Sequence, residues 1–418
     1  MDIWLIKEGE PLPCDESPRL MRMGLLAQYL CKKQHNVTWW SSSFEHGKKK
    51  NRKESTETIR IFGNGTLILL FSKITYKKNT SPSRLIYHRT LARGFLRIAS
   101  TMKKPDLIFC AFPTIDFAEA AIKFGKKNSI PVILDVRDLW PDIFVRAIPK
   151  PLKFMSSIIL SPLQKRTRWI MSKATAITAI NPSHLKWSLE KANREKTSLD
   201  RSIFIGYQKA SLDETERMVA EQFWDNLGIT SDTWNLCYVG TMSPMTLDME
   251  TVIKGFSLIS KNEPDVRLVL CGEGDGLRAF KELALNCPHI VFPGWVDKKQ
   301  ITVLLERSKI GLYPFHNLPD FINSFTNKII EYFSGGVPVA SCLTGFSRDF
   351  ILSNDVGYVY TEGDANSFCS IVEEAYTDMK KREIKAINAF NSYKQYFTDE
   401  MSNQQFDTLF SETVCRET

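Results

Sequence analysis

The stretch NSFTNKIIEYFSGGVPVASC, Asn323 to Cys342, carries residue types whose spacing suits an anion with hydroxyl groups attached. It reads as a polar loop holding Asn323, Ser324 and Asn327, a helix opening near Asn327, a two-glycine stop at Gly335 and Gly336, and a buried strand from Pro338. A loop running into a helix leaves several backbone N–H groups unpaired at the positive end of the helix dipole. Lys328 falls in the first turn and Glu331 one turn later, so a cation for phosphate and a carboxylate for hydroxyls are neighbours. The same spacing also describes a plain surface Lys–Glu pair.

Other strand ends finish in residues that a sheet edge does not require. After Ile6 comes KEGEPLPCDESPRL, where Gly9 permits close approach of a ligand and Arg19 and Arg22 open the next helix; the same stretch also reads as a plain proline-stiffened loop. After Leu134 comes DVRDLWPD, which sets Asp135, Arg137 and Asp138 beside Trp140; this is either a site or a buried ion pair. Val239 leads into Gly240 and Thr241, and Leu270 into CGEGDG. Gly272, Gly274 and Gly276 free the backbone for a ligand, although their spacing departs from the dinucleotide fingerprint. The PGWV turn offers Trp295 and Val296 as an edge for a planar base, or as a glycine turn with a packed tryptophan.

The elements that must position these residues alternate between strand and helix patterns. At 418 residues the chain exceeds what one core usually supports, so two domains of roughly 200 residues are expected. Strand runs near Ile3–Ile6, Val37–Trp40, Thr58–Phe62, Asp106–Ala111, Pro131–Leu134, Ala176–Ile180 and Ile203–Ile205 alternate with helical stretches such as Leu85–Ser100 and Leu152–Met171. The polar segment 206–233 interrupts the rhythm, which resumes at Trp234. The expected fold is α/β, with two Rossmann-like doubly wound parallel sheets facing a cleft. The divisions are 1–205, then 206–395 with 206–233 as its linker, and a closing helix over 396–418 that returns to the first domain.

Composition narrows the chemistry. Nine cysteines without a Cys-x-x-Cys pair and six histidines without ligand spacing indicate neither a disulfide framework nor a metal centre. No apolar run approaches the roughly 20 residues of a membrane span, the best candidate, Thr66–Phe71, being far too short, and the start lacks the pattern of a signal peptide, so a cytoplasmic location is expected. The +8 net charge is concentrated in the first half, over HGKKKNRK and the arginines at 84, 89, 93 and 97. Such a bias suits phosphate, anionic lipid or nucleic acid. No nucleic-acid reading motif accompanies it, so nucleic acid is not expected as a partner.

The order GEGDG, FPGWV, LYPF and NK-x-x-EY-x-x-G-x-PV resembles the C-terminal domain of retaining GT-B glycosyltransferases of group 1. In the first half, GEPLPCD, VTWW, DVRDLWPD and AITAINPSHL resemble the O-antigen and capsule branch, in particular N-acetyl-L-fucosamine transferases. The resemblance implies transfer of a sugar, with retention, from a UDP-sugar on the second domain to a polyprenyl-diphosphate-linked saccharide on the first. Neither metal nor cofactor is implied. In this resemblance Glu331 holds the ribose hydroxyls and Asn323 stands where the family has its other glutamate. The family's frequent Arg and Lys pair is missing, with Thr241, Met242 and Met245 in that loop. Lys328 and the helix amides would then neutralise the diphosphate, Asp138 would join the catalytic set, and Arg19, Arg22, Arg137 and Asp138 would meet the acceptor. The basic and apolar stretch 148–171 suits peripheral binding to an anionic membrane surface, or equally a packed core helix with snorkelling lysines. A sugar-nucleotide epimerase of the same fold and a non-catalytic nucleotide-sugar-binding partner are the alternatives.

Overall fold

The computed structural model describes every residue except Ser17, Arg19, Asn79, Thr80, Pro149, Ser324 and Thr418. The candidates Arg19 and Ser324 lie outside the described residues. The chain divides into two compact units, Met1–Gly206 with Asp399–Thr418, and Tyr207–Thr398.

The first unit holds the strands β1 (Asp2–Ile6), β2 (Asn36–Ser42), β3 (Phe44–Glu45), β4 (Lys50–Asn51) and β5 (Glu57–Ile61). They are followed by β6 (Gly65–Leu70), β7 (Leu107–Phe112), β8 (Val132–Val136), β9 (Ala176–Ala179) and β10 (Arg201–Ser202). Eight of them form one sheet in the order β10-β9-β8-β7-β1-β2-β6-β5, in which only the edge strand β5 runs antiparallel. The run Thr66–Phe71 is thus mostly strand β6. The sheet is covered by helices α1 (Arg22–Lys32), α2 (Pro82–Ala99), α3 (Ile115–Asn128), α4 (Ser156–Lys173) and α5 (Pro182–Ala192).

Strands buried on both faces read as continuous apolar runs, as LIFCAF of β7 does. Side-chain alternation splits the core. Trp4, Ile6, Trp40, Ile108 and Leu134 lie on one face; Ile3, Leu5, Trp39, Phe109 and Ile133 lie on the other. The terminal helix, Asp399–Glu417, brings Phe406, Leu409 and Phe410 to the second face, with Phe406 at 4.9 Å from Phe109 between ring centroids. The helical stretch expected over Leu152–Met171 starts instead within the 3₁₀ turn Lys150–Met155, which follows another at Asp142–Ala147, and α4 begins at Ser156. Pro151 cannot donate the bond that would carry an α-helix through that point.

The second unit holds α6 (Glu214–Asp225), β11 (Trp234–Val239), α7 (Met249–Ile259), β12 (Val266–Cys271), α8 (Leu277–Leu283), β13 (Ile290–Gly294) and α9 (Lys298–Arg307). Then come β14 (Ser308–Tyr313), α10 (Pro319–Ile322), α11 (Asn327–Ser334), β15 (Val339–Ser341), α12 (Gly345–Ser353), β16 (Gly357–Val359), α13 (Ala365–Thr377) and α14 (Met379–Ser392). The sheet order is β13-β12-β11-β14-β15-β16, all parallel. The polar 206–233 stretch contains α6, whose capping box is formed by Asp213 and Glu216. This helix is fastened to α9 by Trp224 Nε1 donating to Gln300 O at 2.8 Å and by the Arg217–Glu306 and Arg307–Asp225 pairs at 2.7 Å.

Each sheet has one place where the strand order reverses direction: between β1 and β7 in the first, and between β11 and β14 in the second. Open α/β sheets bind ligands beyond the carboxyl ends of the strands at such a switch. Among the described residues no helix is long and apolar enough to cross a membrane.

Candidate functional site

The switch of the second sheet collects most of the candidates in that unit. Gly240 follows β11 at φ +150, and the Lys328 side chain, from the first turn of α11, lies directly against it where any Cβ would stand. Only glycine leaves that space. The ammonium is held 5.7 Å from the Tyr238 ring centroid and 5.5 Å from that of Phe315, both within cation–π reach. Burial lowers the Lys328 pKa from its ordinary value, an effect Glu331 partly opposes. No carboxylate among the described residues lies within ion-pair distance of the ammonium.

Glu331, expected as the partner of Lys328, turns elsewhere. It is buried, and its Oε1 accepts a hydrogen bond from the Tyr207 hydroxyl at 2.7 Å. Thr326 stands at the N-cap of α11 without a side-chain bond to the helix amides, and its own N–H donates to Tyr313 Oη at 3.0 Å. Asn327 is exposed in the first turn. Asn323 closes the short helix α10, with φ −106 and ψ 3. One loop thus carries Asn323, Asn327 and Lys328 past the end of β14.

The CGEGDG glycines have a structural use that the sequence does not reveal. Gly272, at φ +130, lies so close to the Gly240 carbonyl that a Cβ would overlap it, and Gly274 meets Met242 O in the same way. The loops are then joined by Gly240 N donating to Cys271 O at 3.0 Å, Met242 N to Glu273 O at 2.8 Å, and Gly272 N to Gly294 O at 2.7 Å. Thr241 lends its carbonyl to Tyr238 Oη–H at 2.9 Å. Beyond β13, Val296 is buried while Trp295 is 71% exposed, so the tryptophan is not packed against the turn.

In the first unit the arginines have other partners. Arg22 is buried and donates to Asp135 Oδ2 and Oδ1 at 3.0 Å, to Phe204 O at 2.7 Å and to Ile203 O at 2.9 Å. Its guanidinium also lies 4.6 Å above the Phe406 ring. Arg137 donates to Asp135 Oδ2 at 2.6 Å and to Glu10. Burial works to raise the Asp135 pKa, but Arg22 and Arg137 outweigh it and hold the carboxyl at about 2. Arg22 and Arg137, expected to meet an acceptor, are thereby committed to a buried ion network. Asp138 follows on the next turn, where Oδ1 accepts from Leu139 N at 2.9 Å.

Gly9, at φ +83, turns the chain at the end of β1. The carboxylate beside it, Glu8, is buried, accepts from Thr114 Oγ1 at 3.2 Å and lies 3.5 Å from His88 Nε2. Tyr207, Tyr238, Phe315, Glu8 and Glu10 are the residues that the sequence reading missed. Tyr238 was the most accessible of these, since it precedes Gly240 by two positions. Among the described residues no group of three or more His, Cys, Asp or Glu is placed to hold a metal ion.

The sequence of residues 220–391 matches the family model of glycosyl transferases group 1. No curated protein matches the chain. Among solved structures, a sucrose-phosphate synthase from Thermosynechococcus elongatus superposes with a TM-score of 0.71 at 15% identity, over 99% of each chain. Anabaena HepE, solved in complex with UDP, gives 0.65 at 15% identity over 99% of this chain and 100% of that one. A UDP-forming trehalose-phosphate synthase from Burkholderia xenovorans gives 0.67 at 12% identity, over 99% and 100%. At these identities the likeness shows the fold. The chain has the GT-B fold, and its second unit carries a glycosyl transferases group 1 domain.

Proposed function

We propose that this protein is a glycosyltransferase that takes a sugar from a UDP-sugar and passes it, with retention of anomeric configuration, to a polyprenyl-diphosphate-linked saccharide. O-antigen or capsular polysaccharide assembly is the setting, and N-acetyl-L-fucosamine or a related amino sugar is the transferred group. The observation that carries the reading is Lys328: a half-buried cation at a helix N-terminus and a sheet switch point, with no carboxylate in ion-pair range among the described residues. A diphosphate at that place would recover the charge stabilisation that burial removes. Its fixed cation and amides would stabilise the leaving UDP, where negative charge grows most in the transition state. The UDP-bound and UDP-forming neighbours support this choice of leaving group.

In this reading Glu331 exchanges its bond from Tyr207 for the ribose hydroxyls, and exposed Trp295 with Val296 borders the uracil. Gly240, Thr241, Gly272 and Gly274 shape the floor, and Asn323 and Asn327 lie toward the sugar. The acceptor oxygen attacks the anomeric carbon on the face that UDP leaves. The C–O bond to phosphate breaks as the new glycosidic bond forms, and the departing phosphate oxygen takes the acceptor proton. Asp138 remains a candidate for the acceptor side and Gly9 for close approach of the donor, with the enzyme working at the inner face of the cytoplasmic membrane. Incubation of the pure protein with a panel of UDP-sugars and a lipid-linked acceptor tests the reading. Acceptor-dependent UDP release with at least one donor is expected. Conversion of the donor sugar without acceptor would replace the reading by an epimerase, and no UDP release with any donor would reject it.

A further inference from the structure

The first unit has an open groove of about 160 Å³ between α2, α3 and α4. Its polar lining is Arg89 and Arg93 of α2, Asp116, Glu119 and Lys123 of α3, and Arg166 of α4. Four cations meet two carboxylates. Arg166 uses both, donating to Glu119 at 2.6 Å and Asp116 at 2.7 Å, and Lys123 also reaches Glu119. Arg89 is 3.8 Å from Asp116 and mostly exposed, while Arg93 has no charged partner among the described residues. The groove therefore presents two cations beyond those its own acids neutralise.

Large apolar side chains at the start of α2 and α4 and in the turn before α4 are open to solvent. Phe154 is 81% exposed and Ile158 67%, with Ile159 also exposed at the start of α4 and Leu85 and Ile86 at the start of α2. Ile159 and Arg166 are seven residues apart and so share one face of α4; Ile86, Arg89 and Arg93 share one face of α2. Helices α2, α3 and α4 each return the chain from the carboxyl end of one parallel strand to the amino end of the next. Their N-terminal ends, with the exposed apolar side chains, therefore lie along the sheet's carboxyl edge, where Gly9 also lies. Large exposed apolar side chains beside a surplus of arginine suit the headgroup layer of a bilayer, with phosphate on the cations and acyl chains around the rings.

We infer that this face of α2, α3 and α4 docks on the membrane, with the phosphate of an anionic phospholipid headgroup in the Arg89–Arg93 groove and Phe154 and Ile158 inserted beside it. The inference draws its purpose from the lipid-linked acceptor proposed above, but its test does not depend on turnover. Full-length protein is floated at low salt with phosphatidylcholine vesicles that contain or lack phosphatidylglycerol, and UDP binding and Tm are measured on every variant. Wild type should float only with phosphatidylglycerol. Arg89→Glu/Arg93→Glu should weaken vesicle binding by on the order of tenfold or more, as should Phe154→Ser/Ile158→Ser, with Tm and UDP affinity unchanged. Lys48→Glu/Lys50→Glu, an equal charge change elsewhere in the unit, should have little effect. Equal losses from both charge reversals would overturn the site in favour of diffuse attraction. Saturable binding of inorganic phosphate to the groove without vesicle retention would make it a site for a soluble anion, and flotation indifferent to phosphatidylglycerol would also overturn it. If UDP fails to bind while flotation follows the groove variants, the donor reading fails and the docking face stands.

Discussion

At the scale of single residues, Lys328 and Glu331 divide the work of the proposed donor site. Losing one electrostatic contact to a developing oxyanion typically costs on the order of 3 kcal/mol, roughly 10²-fold in rate. Lys328→Ala and Glu331→Ala should each lower steady-state UDP release by about that factor, and near-wild-type rates in both would remove the assignment. The lowered pKa of Lys328 adds a pH signature. A bound diphosphate favours the ammonium, so its pKa in the complex lies above that in the free protein. UDP affinity should then decline as pH rises past the free-protein value, and binding at alkaline pH should take up protons. Calorimetry in buffers of different ionisation enthalpy measures that uptake; proton release would contradict the placement.

At the scale of elements, the loops after β11, β12 and β13 are held by backbone contacts that need glycine. Gly272→Ala would drive a methyl group into the Gly240 carbonyl and displace the loop on which Lys328 rests. A loss of stability of about 1–3 kcal/mol, read by urea unfolding, together with weaker UDP binding is expected. In the first unit, Asp135→Asn leaves Arg22 and Arg137 buried without their shared carboxylate, which should cost about 3–5 kcal/mol. Asp135 itself titrates low: its contribution is present above the ordinary carboxylate pKa of about 4 and is lost as pH falls through about 2. Much of this layer was legible. WNLCYV, VRLVLC and VPVASC read as buried strands because parallel strands are apolar on both faces, and the two-glycine stop after Ser334 read as a helix end. Pairings were not legible. DVRDLWPD admitted a buried ion pair, and Asp135–Arg137 is one, but the string does not show Arg22 and Glu10 folded into it. The Glu331–Tyr207 bond joins positions 124 residues apart, and no local pattern announces it.

At the scale of the whole molecule, two doubly wound units persist where only 12–15% of residues match the solved neighbours. Such persistence reflects constraints that many sequences satisfy: alternating strand and helix patterns, right-handed crossovers, and a crevice wherever strand order reverses. Donor sugar and acceptor depend on a few side chains around Asn323 and Gly9 that those constraints leave open. The most direct test of the central claim is isothermal titration of UDP into wild-type protein and Lys328→Ala. A charged hydrogen bond contributes about 1.5–3 kcal/mol, so one-to-one binding weakened roughly 10- to 100-fold by the substitution is the expected result. UDP binding of equal strength in both proteins, or none in the wild type, would contradict the placement of a diphosphate at the β11–β14 switch.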